Sequence, residues 1–240
     1  MIESYINTNN TKKEQVSQMF DNIAWRYDFL NHLLSFGIDK IWRKKAVKLL
    51  KEYKPKIILD IAAGTGDFAI EASKLKPDKI IGIDISREML NKFENKIKKK
   101  KLSGTIEVQI GDAENIKFNN NYFDAIIVGF GVRNFENLTQ GINEMYRVLK
   151  NGGNLIILEF SKPNNSFIRK IYNLYFLKIL PFVGKLFSKD SFAYSYLPES
   201  VKSFPEYEEL LQILKNTGFS NSKFIPLSFG IATLYIGQKK

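Results

Sequence analysis

Cysteine is absent from the 240 residues, and histidine occurs once, as His32. Without thiols the chain forms no disulfide bond, holds no cysteine-ligated zinc or iron–sulfur cluster, and uses no cysteine nucleophile. A zinc site built on histidines needs several imidazoles, and this chain has one. We therefore expect a function that does not depend on a bound metal.

Long hydrophobic runs are absent as well. No run approaches the roughly 20 apolar residues that cross a bilayer, and residues 1–10 lack the apolar segment of a secretory signal. Hydrophobic residues make up 44% of the chain, which is enough for one buried core. We expect a cytoplasmic protein with a single core domain and appended segments.

Acidic residues are fewer than basic residues in this chain. The chain has 36 Lys and Arg against 25 Asp and Glu, a formal net charge of +11. Such a surface suits an anionic partner, either nucleic acid or a lipid surface. Part of the charge has a simpler explanation, because Lys98–Lys101 would close a helix beginning near Glu88, where cations interact favourably with the helix dipole.

Strand and helix signals alternate after Pro55. This alternation predicts a mostly parallel sheet with helices on both faces and right-handed crossovers. The tail adds a hairpin hinged at Phe229–Gly230, which would place an antiparallel strand in the sheet. We expect the strands near residues 57–61, 80–84, 106–110, 124–129, 154–159, 222–228 and 231–237.

A glycine loop follows the first of these strands. Gly64 and Gly66 would let the backbone approach a ligand closely, and the helix after them would present free N–H groups. Together with Ala69 they fit the G-x-G-x-x-G/A pattern of dinucleotide folds, with Asp84 where a ribose-binding acid belongs. The loop therefore predicts a nucleotide site.

Acidic residues around this loop separate two ligand classes. Asp60 precedes the loop, Asp67 follows it, and Asp112–Ala113 come after the third strand. Carboxylates would repel the pyrophosphate of NAD, but they would attract the ammonium and sulfonium groups of S-adenosylmethionine. The charge pattern favours the methyl donor, with an NAD-dependent oxidoreductase as the alternative. Since ligands bind at the carboxyl ends of parallel strands, we expect Asp60, Asp84, Asp112 and Gly129 in one crevice.

Two segments flank this core. Residues 11–53 look helical in two pieces, the first capped by Thr11 and the second carrying an apolar stripe with Ile41 and Leu49. Residues 163–205 mix apolar and cationic side chains, as in a segment that lies on an anionic bilayer or covers a hydrophobic ligand. A lid helix buried against the sheet is the alternative. The expected division is a helical lid 1–54, a core 55–162, an aromatic-rich insertion 163–205, and a C-terminal helix and hairpin 206–240.

Two longer motifs of the chain are distinctive: Tyr27-Asp28-x-Leu30-Asn31-x-x-Leu34-Ser35-x-x-x-Asp39-x-x-Trp42 and Arg147-Val148-Leu149-Lys150-Asn151-Gly152-Gly153-x-Leu155-x-x-Leu158-Glu159-x-Ser161. They resemble the signatures of the quinone C-methyltransferases, a family that methylates demethylmenaquinol or 2-methoxy-6-polyprenyl-1,4-benzoquinol. The similarity extends through residues 129–134 and 194–200. Asp39 departs from the family pattern, which has histidine there.

The resemblance implies a Rossmann-like class I S-adenosylmethionine-dependent methyltransferase with a mostly parallel seven-stranded sheet and a C-terminal antiparallel hairpin. It also implies roles for individual residues in holding the donor. Asp84 would accept hydrogen bonds from the ribose hydroxyls, and Asp112 with Ala113 would bind the adenine. Thr65 and the backbone of Gly64 and Gly66 would hold the methionyl end. Gly129 would complete the site.

The expected reaction is methylation of a quinol ring carbon, most simply demethylmenaquinol to menaquinol, with the benzoquinol of ubiquinone biosynthesis as the alternative acceptor. Ionising a phenol of pKa about 10 at pH 7 costs about 4 kcal/mol, which the fixed cation Arg133 would offset. Asn134 would orient a hydroxyl or water. Tyr27, Asp28, His32 and solvent are candidates for proton removal. We expect contact with an anionic membrane surface and no nucleic-acid partner, although an RNA-binding protein on a methyltransferase fold is an alternative that fits the charge.

Overall fold

The computed structural model describes residues 11–25, 27, 28, 35, 37–175 and 192–240. Several residues singled out above lie outside this set: Leu30, Asn31, His32 and Leu34, together with the side chain of Tyr194.

Seven strands form a single sheet in the order β3-β2-β1-β4-β5-β7-β6. Strands β1 to β5 pair in parallel, whereas β7 runs antiparallel between β5 and β6. The predicted sheet, its hairpin and the hinge at Phe229 are therefore confirmed. The strands are β1 Ile57–Ile61, β2 Lys79–Asp84, β3 Ile106–Ile110, β4 Phe123–Gly129, β5 Leu149–Phe160, β6 Ser220–Leu227 and β7 Ala232–Gln238.

Helices cover both faces of this sheet. Alternate residues of β1 point to opposite sides, so Leu59 packs in one apolar layer and Ile58 in the other. The described α-helices are α1 Lys12–Ile23, α2 Ile38–Leu50, α3 Asp67–Ala72, α4 Arg87–Lys99, α5 Leu138–Val148, α6 Ser166–Leu174, α7 Phe192–Ser203 and α8 Glu208–Thr217. No helix in the described part of the chain combines the length and apolar character needed to cross a bilayer.

Helix α1 begins as the sequence indicates. The Thr11 hydroxyl accepts from the backbone N–H of Glu14, and the Glu14 carboxylate accepts from the backbone N–H of Thr11. This reciprocal pair satisfies two N–H groups that the helix itself leaves open. Val16 and Met19 on the same helix are buried against Tyr196 of α7.

Helix α2 buries a different face from the predicted one. Ile41 is 63% exposed, while Trp42 is buried and packs edge-on to Phe160 with ring centroids 6.3 Å apart. The Trp42 indole also donates to the Ser228 hydroxyl at 2.9 Å. Burial of the largest apolar side chain therefore sets the orientation of α2, so that Ile41 faces solvent while Leu49 is only partly buried against the core.

Asp39, the departure from the family pattern, has a local role. It lies in the first turn of α2, is almost fully buried, and accepts from the Ser35 hydroxyl at 2.7 Å. Its other oxygen pairs with Arg43 one turn along the helix. A carboxylate near a helix N-terminus is favoured by the helix dipole, so Asp39 stabilises the start of α2.

Candidate functional site

A cavity opens at the carboxyl ends of β1 to β4. It encloses about 670 Å³, including the open space at its mouth, within the range of small-molecule sites. Helix α1 contributes Lys13, Val16 and Phe20 to its wall. Seven of the predicted site residues also line it: Tyr27, Gly64, Asp84, Asp112, Ala113, Gly129 and Asn134.

Asp84 lies at the end of β2, and its carboxylate is held by the backbone. One oxygen accepts from the N–H of Gly64 at 2.7 Å, and the other accepts from the N–H of Ser86 at 2.8 Å. Burial raises the pKa of Asp84 to about 6, against the lowering effect of these N–H groups. The carboxylate is therefore ionised at neutral pH, and each oxygen keeps acceptor capacity for a ligand hydroxyl.

Asp112 and Ala113 follow β3 and form the neighbouring wall. One Asp112 oxygen accepts from the backbone N–H of Glu114 at 2.9 Å, and the other pairs with Lys13 at 2.6 Å. That hydrogen bond raises the pKa of Lys13, which keeps its ammonium charged. No pattern in the sequence predicted this contact between α1 and the cavity.

The two loop glycines have different roles. Gly64 has φ +54°, and a Cβ there would meet no atom of the described residues within 4 Å, so the backbone is open on the side that lines the cavity. Gly66 has φ +83°, and a Cβ there would lie 1.9 Å from the ring of Phe93. Gly66 therefore allows helix α4 to pack against the loop, and it does not line the cavity.

Asp60, which was expected at the crevice, lies elsewhere, and so does Asp67, which follows the glycine loop. Asp60 is buried beneath the loop, where it accepts from the N–H of Ala69 at 3.0 Å in the first turn of α3. Burial raises the pKa of Asp60 to about 8. Asp67 contacts Lys96 at 2.6 Å instead of the cavity. The prediction for Asp60 was wrong, because its side chain is on the α3 side of the sheet. The acids of the wall are Asp84, Asp112, Glu114 and Glu136.

Thr65 and Asp28 lie behind the cavity wall and contact each other. The Thr65 hydroxyl donates to one Asp28 oxygen, and the other Asp28 oxygen pairs with Lys96 at 2.7 Å. Lys96 also donates to the Thr65 hydroxyl at 3.0 Å. The sequence placed Thr65 and Asp28 at the site but did not identify Lys96 as their partner.

Arg133 and Asn134 form a short turn after β4. Arg133 pairs with Glu159 at 2.7 Å, and the Arg133 side chain is 7% exposed whereas that of Glu159 is 0% exposed. Burial raises the pKa of Glu159, while the adjacent guanidinium opposes that rise. Glu159 stands in the second signature, but the sequence assigned it no role.

Two polar atoms of this turn lack hydrogen-bond partners among the described residues, Nε of Arg133 and Oδ1 of Asn134. A buried polar atom left in this state costs about 1–3 kcal/mol, which a ligand group can relieve. Asn134 itself lines the cavity. The turn is therefore placed to offer a polar group of Asn134 to a ligand in the cavity.

The cavity wall also contains backbone strain. Ala62 has φ 51° and Phe130 has φ 60°, although neither is glycine, and both line the cavity. Non-glycine residues in the left-handed region are uncommon and cluster at ligand sites. Among the described residues, no group of three acidic or histidine side chains is arranged to hold a metal ion.

The cavity suits a cationic nucleoside better than a dinucleotide. Its carboxylates would attract an ammonium or sulfonium group and repel a pyrophosphate. The buried oxygens of Asp84 can accept from the two hydroxyls of a ribose, and the open backbone at Gly64 admits a ligand at close range. S-adenosylmethionine therefore fits the groups that are present.

Sequence comparisons agree with this geometry. The profile of the ubiE/COQ5 methyltransferase family matches residues 8–239. A demethylmenaquinone methyltransferase from Bacteroides fragilis is 49% identical over 239 residues, which cover 99% of this chain and 97% of the relative. The ubiquinone/menaquinone biosynthesis C-methyltransferase of Geotalea daltonii is 46% identical over 230 residues, 95% of this chain and 97% of the relative.

Solved structures share the fold at much lower identity. A SAM-dependent methyltransferase from Thermotoga maritima aligns with a TM-score of 0.64 and 22% identity, covering 93% of this chain and 99% of its own. The [4+2]-cyclase SpnF aligns with a TM-score of 0.67 and 16% identity, covering 95% and 96%. The second likeness shows that the fold alone does not fix the reaction. The reaction follows from the full-length sequence matches, which show that this chain is an S-adenosylmethionine-dependent C-methyltransferase and belongs to the ubiE/COQ5 methyltransferase family.

Proposed function

We propose that this enzyme methylates a ring carbon of a polyprenyl quinol, and that its acceptor is demethylmenaquinol. The observation that carries the proposal is the Arg133–Asn134 turn, which has two unpartnered polar atoms among the described residues and places Asn134 in the wall of the acid-lined donor cavity. Full-length relatives named demethylmenaquinone methyltransferases support the naphthoquinol. Methylation of 2-methoxy-6-polyprenyl-1,4-benzoquinol is the second candidate, supported by relatives whose names include ubiquinone biosynthesis.

The donor would be held by the cavity residues. Asp84 would accept from the ribose hydroxyls, and Asp112 would accept from the adenine amino group while the backbone N–H of Ala113 donates to the ring. Gly64 would leave room for the ligand and Gly129 would line its site. The loop through Thr65 and Gly66 would hold the methionyl end. When bound, S-adenosylmethionine supplies an electrophilic methyl group on its sulfonium.

The acceptor would be activated by the turn after β4. A quinol hydroxyl must lose its proton before the adjacent ring carbon becomes strongly nucleophilic, and Arg133 would stabilise the resulting phenolate. The pairing with Glu159 offsets part of the Arg133 charge and fixes the guanidinium in one orientation. Asn134 would orient the hydroxyl or a water, and Tyr27, which lines the cavity, would take part in proton removal. Asp28 is not placed for that step, because both of its oxygens are engaged behind the wall by Thr65 and Lys96.

A direct assay tests this function. The protein is incubated with S-adenosylmethionine carrying a deuterated methyl group and with a short-chain demethylmenaquinol or the short-chain benzoquinol. We expect a labelled methyl group on a ring carbon, located by mass fragmentation, and a higher kcat/KM for the naphthoquinol. Folded protein that binds the donor but yields no ring-methylated product would refute the proposal and leave RNA binding as the alternative to measure.

Donor affinity should depend on pH through Asp84. Because the pKa of this buried carboxyl is raised to about 6, it gains a proton as the pH falls through that value and loses acceptor capacity. We expect the Kd of S-adenosylhomocysteine to rise about tenfold from pH 7.5 to pH 5, one proton being coupled to binding. Calorimetric titration across this range measures it, and an affinity independent of pH would contradict the role of Asp84.

We further propose that helix α6, within the predicted insertion 163–205, contacts the cytoplasmic face of an anionic bilayer. Phe167, Ile171 and Leu174 share one helix face by their spacing, and they are 70%, 54% and 53% exposed. Arg169 and Lys170 lie exposed beside them. Apolar side chains flanked by cations suit a lipid surface that carries negative charge.

Vesicle sedimentation tests this contact. The variant Phe167→Ser/Ile171→Ser should lose most binding to vesicles rich in phosphatidylglycerol. The matched control Ile41→Ser/Phe229→Ser removes two equally exposed apolar side chains elsewhere and should bind as the unaltered protein does. Equal binding by both double variants would show that α6 is not the contact.

A further inference from the structure

Lys96 lies at the centre of an ionic cluster next to the glycine loop. Its ammonium group contacts Asp67 at 2.6 Å, Asp28 at 2.7 Å and the hydroxyl of Thr65 at 3.0 Å. The three charged side chains are 21%, 25% and 34% exposed for Lys96, Asp67 and Asp28. Because the cluster is partly shielded from water, its charges interact more strongly than those of a fully exposed pair.

The cluster joins two parts of the cavity wall. Asp28 directly follows Tyr27, and Thr65 directly follows Gly64; Tyr27 and Gly64 both line the cavity. The Asp28–Lys96–Thr65 contacts therefore hold the segment that carries Tyr27 against the glycine loop. Lys96 itself is behind this wall, so it acts through these neighbours.

Removal of the Lys96 charge would do more than delete one contact. Asp28 and Asp67 both touch the same ammonium nitrogen, so without it two carboxylates would face each other at short range and repel. Thr65 would also lose a donor. The Tyr27–Asp28 segment would then move away from the loop, and the wall would open where the two meet.

We propose that Lys96 is a positioning residue that fixes the part of the donor site recognising the amino-acid end of S-adenosylmethionine. The inference rests on the proposed role of the loop at Thr65 in holding that end of the donor. The adenosine end would be held by Asp84 and Asp112, whose own contacts within the protein do not include Lys96. Lys96 should therefore affect ligands that carry the amino-acid end and spare those that lack it.

Two ligands separate these effects in binding experiments on the full chain. S-adenosylhomocysteine carries the amino-acid end, whereas 5′-methylthioadenosine ends at the methylthio group. For Lys96→Met we expect the Kd of S-adenosylhomocysteine to rise about tenfold, the scale of a lost contact to a charged group. The Kd of 5′-methylthioadenosine should stay within about twofold, because its binding does not use the loop contacts.

Two further variants serve as controls. Lys96→Arg keeps the positive charge and should restore most of the affinity for S-adenosylhomocysteine. Lys98→Met removes an exposed lysine from the same helix and should leave both affinities unchanged. An equal loss of both ligands in Lys96→Met would assign Lys96 to the fold alone, and an unchanged affinity for S-adenosylhomocysteine would refute its role.

The same titrations distinguish this inference from the donor site on which it rests. Unaltered protein that binds S-adenosylhomocysteine, with Lys96→Met binding it equally well, would refute the Lys96 proposal while leaving the donor site intact. Unaltered protein that binds neither ligand would refute both.

Discussion

Replacement of Asp84 by asparagine is expected to weaken donor binding about a hundredfold, because two hydrogen bonds to a charged acceptor would be weakened or lost. The variant keeps the size of the side chain and one acceptor oxygen. It should also remain folded. The raised pKa of Asp84 means that its ionised form is disfavoured in the folded state, so its contribution to stability declines as the pH rises towards about 6.

The measurement is calorimetric titration with S-adenosylhomocysteine at pH 7.5, accompanied by thermal unfolding. Asp78→Asn removes an exposed acid and serves as the matched control, with unchanged affinity. We expect Asp84→Asn to remain folded but to unfold at a slightly lower temperature, because its single oxygen cannot accept from both Gly64 and Ser86. Donor affinity within threefold of the control would remove Asp84 from the binding site.

Loss of the Arg133 guanidinium is expected to lower kcat about a hundredfold or more, since a large part of the roughly 4 kcal/mol needed to ionise a phenol at pH 7 would no longer be offset. Donor affinity should change little, because Arg133 is not among the residues that line the donor cavity. The pH at which kcat reaches half its maximum should move upward, as the phenolate loses its stabilising charge.

The design of this experiment must account for Glu159. Removing Arg133 alone leaves a fully buried carboxyl without its cation, a change that costs about 3–5 kcal/mol in comparable pairs. The double variant Arg133→Met/Glu159→Gln avoids the uncompensated charge and should stay folded with low kcat. If donor affinity falls as far as kcat does in this variant, the pair supports the donor site and has no separate part in acceptor activation.

The sheet could be predicted from the sequence because its signals are local. Each strand is a short apolar run bounded by turn residues, and the loop at Gly64 and Gly66 follows directly from one of them. Asp84 ends β2, and Asp112 follows β3 after Gly111; the two strands pair in parallel. Position at a strand end was therefore sufficient to bring both acids to the cavity.

The features that the sequence did not predict depend on the direction of side chains and on contacts between residues far apart in the chain. Strand position did not reveal that Asp60 points beneath the loop, where it caps α3. Lys13 reaches Asp112 from 99 residues away, and Glu159 meets Arg133 across 26. Such pairs form because distant elements pack together, and no local pattern encodes them. The orientation of helix α2 is likewise set by Trp42, whose partners Phe160 and Ser228 lie in other elements.

A crystal structure of the complex with S-adenosylhomocysteine tests the central claim most directly, namely that the acid-lined cavity at the carboxyl ends of β1 to β4 holds the donor. We predict the ribose hydroxyls on the Asp84 carboxylate, the adenine between Asp112 and Ala113, and the amino-acid end against the glycine loop. Density for the ligand at any other place, with this cavity filled only by solvent, would contradict the account.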